Sequence, residues 1–498
     1  MSYLQQIYGS SLALHNDLYQ LTMAYAYWKS GLRHTQAAFH LHFRQLPFSG
    51  GFAIACGLDA AIEYIQNFHF SEDDIRYLGT IEGNDGKVLF EEPFLEYLAT
   101  MQFNCDVDAM PEGTPVFPYQ PLVRVKGPVI PCQLLETPLL NIINFQTLIA
   151  TKAARVCLAA RGEPVLEFGT RRAQGIDGAL SMSRAAFIGG CSATSNTLAG
   201  KIFGIPVKGT HAHSWVMVFD DELESFEQYA QALPNNCVFL VDTYDTIEGV
   251  RHAAKVGIAL QKSGHQMAGI RLDSGDLARL SIEARRILDE AGLPEARIFA
   301  SNDLDEYIIE SLKTQNAAIT VWGVGTRLST AYDQPALGGV YKLSAVRHDD
   351  GAWSPRIKLS EQTAKISNPG IQQVRRYYRN NNNQRQCAGD MLYDIHTAPA
   401  AAPRVVDPLD AAKRWRINQT EYEDLLVPIF AQGKKVYDSP ALADIRQTTS
   451  RKLQELERGI KRFVNPQWYP AGVEQSLHEC KMQLIAQAHA DADTEAGI

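Results

Sequence analysis

Val238–Asp276 reads VFLVDTYDTIEGVRHAAKVGIALQKSGHQMAGIRLDSGD, and its rhythm decides the fold. A short apolar run, Val238–Val241, ends in the polar cluster Asp242-Thr243-Tyr244-Asp245-Thr246. Thr246–Ser263 then repeats apolar residues at helical spacing. A second apolar run, Gly269–Leu272, ends in Asp273-Ser274-Gly275-Asp276. Strand, helix and strand at about thirty residues per unit form a βαβ crossover, which requires parallel strands.

The same rhythm extends outward. Strands are expected at Val165–Phe168, Ile205–Lys208, Arg297–Ala300, Ile319–Trp322 and Val340–Leu343. Helices are expected at Ser192–Gly204, Ser274–Ala291 and Leu304–Lys313. So long a run of units favours a barrel over an open sheet. The flanks differ. Asp17–Ser30 predicts a helix with an aromatic face, and Phe39–Leu46 alternates like a strand. Asp106–Lys126 is punctuated by prolines and predicts an antiparallel piece outside the barrel. Beyond Val346 the alternation fades. Asn380–Asn383 is a polar tip and Thr397–Pro403 a linker. Ala441–Phe463 and Val473–Ala488 predict amphipathic helices that pack back on the body. The expected domains are 1–135, an N-terminal α/β domain; 136–350, the barrel; and 351–498, a C-terminal segment.

The chain has 498 residues, 45% apolar and 21% charged, which supports two or three globular domains. Its net charge of −9 lacks the basic excess of a nucleic-acid binder. The eight cysteines are scattered without a CxxC pair, which fits free thiols in a reducing compartment. Met1–Asn16 shows no basic segment followed by an apolar core, and Thr137–Thr151 carries Asn and Gln and is too short to span a bilayer. A soluble, cytoplasmic protein without a membrane or nucleic-acid partner is expected.

Nearly every barrel strand is followed by a polar or glycine cluster. Besides the two above, these are Glu167-Phe168-Gly169-Thr170-Arg171-Arg172, Lys208-Gly209-Thr210-His211-Ala212-His213-Ser214, Ser301-Asn302-Asp303 and Gly323-Val324-Gly325-Thr326. In a (β/α) barrel the strand C-termini converge on one rim, where the chemistry sits. Any single cluster is also what a helix N-cap looks like. The glycine turn at Gly323–Thr326 suits a phosphate monoester, or is simply a tight turn. Asp273 and Asp276 could hold Mg²⁺ or ribose hydroxyls, or be the acidic first turn of a helix. Arg171 and Arg172 could clamp a phosphate, or form a solvated turn. His213, beside Thr210 and Ser214, is either a structural or a chemical histidine. From its pattern alone, Tyr19 is a core residue. No GxSxG and no GxxxxGK[ST] is present, which argues against acyl transfer and P-loop chemistry.

Seven motifs occur in order along the chain: LHNDLYQLTM, EFGTRR, KGTHAHS, VDTYDT, GIRLDSGD, ASNDLDE and WGVGT followed by GGVYKL. Together they closely resemble the nicotinate phosphoribosyltransferase family, over nearly the whole chain. The resemblance implies a type II phosphoribosyltransferase fold: an irregular (β/α) barrel with a second α/β domain built from N- and C-terminal segments. It implies an enzyme of NAD salvage that joins nicotinate to phosphoribosyl pyrophosphate, giving nicotinate mononucleotide and pyrophosphate, with ATP hydrolysis coupled through a phosphohistidine. Mg²⁺ is the implied cofactor and ATP the co-substrate. A homodimer with shared active sites is the implied assembly.

Residue by residue, His213 matches the phosphorylated histidine. Tyr19 and Phe168 match the aromatic pair around the pyridine ring. Thr210 and Arg271 match nicotinate-pocket positions. Arg171, with Arg172 beside it, matches a phosphate-binding arginine. Asp273 matches the acid near ribose and magnesium, with Asp276 offered beside it as a second magnesium ligand. Gly323, Gly325 and Thr326 match the 5-phosphate turn. Asp242 and Asn302 stand among them. The sister reading is a nicotinamide phosphoribosyltransferase, where an aspartate faces the substrate amide. Asn196 occupies that place here, and a neutral side chain favours the acid substrate. Gln372 stands where many relatives carry lysine, so the Pro369–Arg376 loop is assigned no ligand. A quinolinate-type enzyme and a non-catalytic ligand-sensing barrel are the remaining alternatives.

Overall fold

The protein is described by a computed structural model over residues 8–9, 11–348, 351–381, 383–397 and 399–495. Residue 382 of the polar tip, residue 398 of the linker, and residues 1–7 and 10 of the N-terminal segment lie outside the described residues. The chain folds as two units. Both chain ends, Met1–Leu148 and Ala336–Ile498, form one; Ile149–Pro335 forms the other. The second unit lies within the 136–350 span expected for the barrel, and the helix Glu136–Ala159 runs across the first boundary.

The second unit is built on six strands: β1 Val165–Glu167, β2 Ala193–Thr194, β3 Val238–Leu240, β4 Gly269–Leu272, β5 Arg297–Ala300 and β6 Val321–Val324. Every neighbouring pair is parallel, in the order β2-β1-β6-β5-β4-β3. Val207 adds a single parallel bridge to Thr194, on the edge of β2 away from β1. Read around, the order Val207, β2, β1, β6, β5, β4, β3 is the chain order taken once in a circle. A doubly wound open sheet would instead reverse its order at a switch point. Among the described residues no backbone ladder joins Val207 to β3. This gap is what makes the barrel irregular. Leu166, Ala193 and Val321 form a core cluster, packed by Phe168 and Phe299.

The turns from strand to helix after β3, β4 and β5 are each closed by an aspartate. Asp245 accepts the N–H groups of Ile247 and Glu248, Asp276 that of Arg279, and Asp305 those of Tyr307 and Ile308. Part of the polar clusters after β3 and β4 is therefore capping, and the rest is left for the rim.

The first unit holds an antiparallel sheet of seven strands. Its order is Ser354–Pro355, Gly339–Arg347, Gln36–Phe43, Val123–Pro128, Asp106–Ala109, Val427–Ala431 and Lys434–Lys435. A six-stranded sheet from the C-terminal segment joins it, with Gln372–Asn381 and Gln384–Asp394 as its longest strands. There the buried Arg376 grips Asp390 with two bonds of 2.8 and 2.7 Å, and Tyr469 and Gln120 complete the carboxylate's shell. A buried ion pair is tolerable when its remaining lone pairs are satisfied in this way. The second α/β unit from both chain ends is as expected.

Three expectations are corrected. Val340–Leu343 is not a barrel strand: it lies within Gly339–Arg347, antiparallel to Gln36–Phe43 in the first unit. An apolar run specifies a buried face but does not name its partner strand. Ser192–Gly204 is not one helix. Ala193–Thr194 is β2, and the helix is Thr197–Phe203, started by an Asn196 cap. The helix expected over Ala441–Phe463 ends at Gln454, because the Glu455 carbonyl accepts the Cys387 N–H at 2.8 Å instead of continuing the helical ladder.

Candidate functional site

Arg271, next to last in β4, is the hub of the rim. Its Nε donates to Ser301 Oγ at 2.8 Å, its Nη1 to Thr210 Oγ1 at 2.9 Å and its Nη2 to Asp273 Oδ1 at 2.9 Å. The guanidinium carbon lies 5.7 Å from the Phe168 ring centroid, a cation–π distance. A guanidinium carries five N–H donors in a rigid fork. Three are spent on holding the ends of three segments together, and two have no acceptor among the described residues.

Asp273 links this hub to the histidine. Its Oδ1 also accepts the Ser301 hydroxyl, and its Oδ2 lies 3.8 Å from His213 Nε2. Burial pushes the Asp273 carboxyl up, but the Ser301 bond and the Arg271 charge outweigh burial and hold it below its ordinary value. Its N–H donates to Asp242 Oδ2 at 2.9 Å, as does the Ser274 hydroxyl at 2.6 Å. The second oxygen, Asp242 Oδ1, is buried and has no hydrogen-bond partner.

His213 opens the short helix His213–Met217, with Nδ1 3.1 Å from Thr243 Oγ1. Its side chain remains 39% exposed. One ring nitrogen is therefore held, while the other faces a carboxylate on a partly exposed ring.

On the opposite flank, Phe168 follows β1 and donates its N–H to Val324 O at 2.9 Å. A Cβ added to Gly323 would lie 2.8 Å from two ring carbons of Phe168, so glycine there makes room for the ring. Gly325 precedes the four-residue helix Thr326–Ser329, and Thr326 is half-buried. Arg171 and Arg172 sit exposed on the turn Thr170–Arg172. Beneath them Glu167 is buried. Its carboxylate accepts Ser183 Oγ at 2.9 Å, Thr194 Oγ1 at 2.5 Å and the Gly169 N–H. Burial pushes this carboxyl up against those bonds.

The rim thus brings together Phe168, Thr210, His213, Asp242, Arg271, Asp273 and the Gly323–Thr326 turn. Asp276 is tied instead to its own helix as the cap. Asn302 and Asp303 take left-handed φ of 96° and 41° in the turn after β5. Tyr19 belongs to the first unit. It lies on the helix Leu18–Lys29 and is 48% exposed, with its hydroxyl pushed up to about 12 by partial burial and by Glu136. Asn196 is committed: its oxygen caps Ala199 N–H at 3.1 Å, and its amide reaches Ala179 O and Ser183 Oγ at 3.4 Å.

Sequence reasoning gave no role to Thr243, Ser301 or His211. All three lie in the strand-end clusters, which is the one signal that would have pointed to them. Among the described residues no three His, Cys, Asp or Glu side chains are grouped to hold a metal. The pair drawn together is Asp242 with Asp273. The orphaned Asp242 Oδ1 and Asp273 Oδ2 are hard oxygen donors of the kind Mg²⁺ prefers.

Comparison with known proteins identifies the family and the fold. The nicotinate phosphoribosyltransferase (NAPRTase) N-terminal domain matches residues 14–144, the NAPRTase family 164–380 and the C-terminal domain 371–481. The nicotinate phosphoribosyltransferase of Bacillus subtilis (strain 168) is 44% identical over 488 residues, 97% of each chain. That of Dictyostelium discoideum is 36% identical over 95% of this chain and 88% of its own. The crystal structure of human nicotinic acid phosphoribosyltransferase superposes with a TM-score of 0.81 at 31% identity, covering 94% of this chain and 99% of that one. A nicotinate-nucleotide pyrophosphorylase from Pyrococcus furiosus shares the fold, with a TM-score of 0.68 at 21% identity, over 89% of this chain and 96% of its own. Family matches along most of the chain and a relative of full length converge, and the chain belongs to the nicotinate phosphoribosyltransferase family.

Proposed function

We propose that this protein joins nicotinate to 5-phosphoribosyl 1-pyrophosphate, giving nicotinate mononucleotide and pyrophosphate in NAD salvage, with ATP hydrolysis coupled through His213. The observation that carries the reading is the Arg271 fork. Two N–H donors remain after its internal bonds, which matches the two oxygens of a carboxylate. The Phe168 ring packed on the same guanidinium offers a flat apolar face for a pyridine.

The pyridine nitrogen is already a nucleophile, so no strong general base is needed. The protein's task is to align the ring with the anomeric carbon and to stabilise the departing charge. Arg171 and Arg172 are exposed cations for the phosphates, and in the Gly323–Thr326 turn Gly325 and Thr326, which follow β6, would offer backbone N–H groups and a hydroxyl for the 5-phosphate, with Gly323 seating Phe168 beside them. Mg²⁺, when bound, neutralises phosphate charge; Asp242 and Asp273 are the carboxylates that would hold it, with Asp276 contributing whatever its cap leaves. His213 would accept the γ-phosphoryl of ATP on Nε2, since Nδ1 is engaged with Thr243. A phosphorylated ring beside Asp273 adds negative charge at the mouth and alters its affinity for the anionic sugar substrate.

Exposed apolar residues of the second unit, Ile176, Met217 and Val218, support a homodimer, and the exposed Tyr19 ring is available to a second copy. Free cysteines support a cytoplasmic location, and no helix among the described residues is long and apolar enough to cross a membrane. The test supplies phosphoribosyl pyrophosphate with either nicotinate or nicotinamide, with and without ATP, and follows mononucleotide formation. Nicotinate is expected to react and ATP to raise the yield. Preference for the amide, or uptake of the sugar without turnover, would overturn the reading.

A further inference from the structure

Leu240 closes β3 and pairs in register with Arg271 of β4. The next residue, Val241, donates its N–H to Arg271 O at 3.2 Å. Successive N–H groups of a strand point to opposite edges, so the Leu240 N–H points away from β4, into the gap where a barrel would have its closing strand. Buried without an acceptor, that group would cost the fold its full desolvation penalty. Its acceptor is a side chain: His211 Nε2 lies 3.2 Å away.

The chemistry of the partners sets the ring's state. Nδ1 of His211 lies 3.3 Å from Ala212 O, which can only accept. Nδ1 therefore carries the proton and Nε2 the lone pair, which is one neutral tautomer and no other. The ring is boxed by Tyr229, edge-on at 5.0 Å, and by Phe226 and Phe239 at 6.1 and 6.4 Å. Its immediate neighbours are site residues. Thr210 Oγ1 donates to the His211 carbonyl at 3.1 Å while accepting from Arg271, and His213 follows two residues later.

We infer that His211 is a positioning residue. Its imidazole stands in for the missing closing strand, and through the Leu240 bond it sets Thr210 against Arg271 and His213 against Thr243. The inference rests on the function proposed above for the same rim. Without the bond the 208–214 loop has no fixed register against β3, so phosphoryl capture at His213 and sugar transfer lose their common geometry.

The test compares the full-length chain with His211→Phe, which fills the aromatic box without an acceptor, and His211→Gln, which restores one. Amide hydrogen exchange of a peptide spanning residues 238–243 reads the bond directly. Mononucleotide formed per ATP hydrolysed, with kcat and KM for nicotinate separated, reads the alignment. For His211→Phe, exchange at Leu240 is expected to accelerate about tenfold or more. The yield per ATP is expected to drop by at least about threefold and kcat by about tenfold, with KM for nicotinate changed less. His211→Gln recovers most of both. Unchanged exchange, or accelerated exchange with coupling and kcat intact, overturns the inference. If His211→Phe fails to fold, an active, coupled His211→Gln with a protected Leu240 upholds it, and an inactive or uncoupled one overturns it. A wild-type chain that does not convert nicotinate sinks the proposed function, while the exchange result still decides the role of the bond.

Discussion

Arg271 Nη1 lies 2.9 Å from Thr210 Oγ1, joining β4 to a loop that no backbone ladder ties to it. The same side chain reaches Ser301 and Asp273, so it is at once a structural clamp and the cation of the mouth. Arg271→Lys keeps the charge but cannot reproduce three bonds from one planar fork. We expect kcat/KM for nicotinate to fall by about a hundredfold or more, mostly through KM, measured by steady-state kinetics. Thr210→Val, which removes a single contact, should cost about tenfold.

His213 is presented with one nitrogen held by Thr243 and the other open. His213→Ala is expected to abolish ATP hydrolysis and ATP stimulation while leaving slow transfer. Phosphate release and mononucleotide formation, followed in one reaction, check this. ATP coupling that survives the change would place the phosphoryl acceptor elsewhere.

Gly323 is glycine because the Phe168 ring lies against it. Gly323→Ala must displace that ring, and overpacking of this kind costs about 1–3 kcal/mol. A lower melting temperature and a several-fold rise in KM for nicotinate are expected, with KM for phosphoribosyl pyrophosphate moved less.

Burial pushes the His211 imidazole down to about 4, overcoming the lift from its bond to Ala212. Below the ordinary value of 6.5 the unfolded chain takes up a proton that the folded ring refuses. This contribution to stability is therefore complete above 6.5 and drains away as pH falls towards about 4, by up to about 1.4 kcal/mol per pH unit. His211→Phe should flatten the melting-temperature profile across that window relative to the wild type. Other buried histidines, such as His42, are common to both proteins and cancel in the difference.

How much of this was legible depends on what the signal is made of. β4 and β5 lie where the apolar runs placed them, at Gly269–Leu272 and Arg297–Ala300. The rim was legible because a parallel strand must hand its chain to a helix at one end, and polar residues collect there for capping and for chemistry alike. β6 came two residues later than its apolar run, at Val321–Val324, because Gly323 and Val324 continue the ladder against β1. His211 was unreadable for a different reason. Its role is to satisfy a backbone donor at a gap, and a gap exists only once the other strands have been placed. Thr243 and Ser301 lie in legible clusters, but their partners are thirty and twenty-eight positions away, so local spacing does not single them out.

The strand Gln36–Phe43 carries Val123–Pro128 on one side and Gly339–Arg347 on the other. A ribosome delivers the first two early and the third only after the whole of Ile149–Pro335 has emerged. Until then the nascent sheet has an open flank of unpaired amides and carbonyls, which is an invitation to pair with another chain. The self-contained parallel unit can mature during that wait. The last stage of biogenesis is then the return of the chain's final third to a half-built sheet, the point at which chaperone protection would matter most.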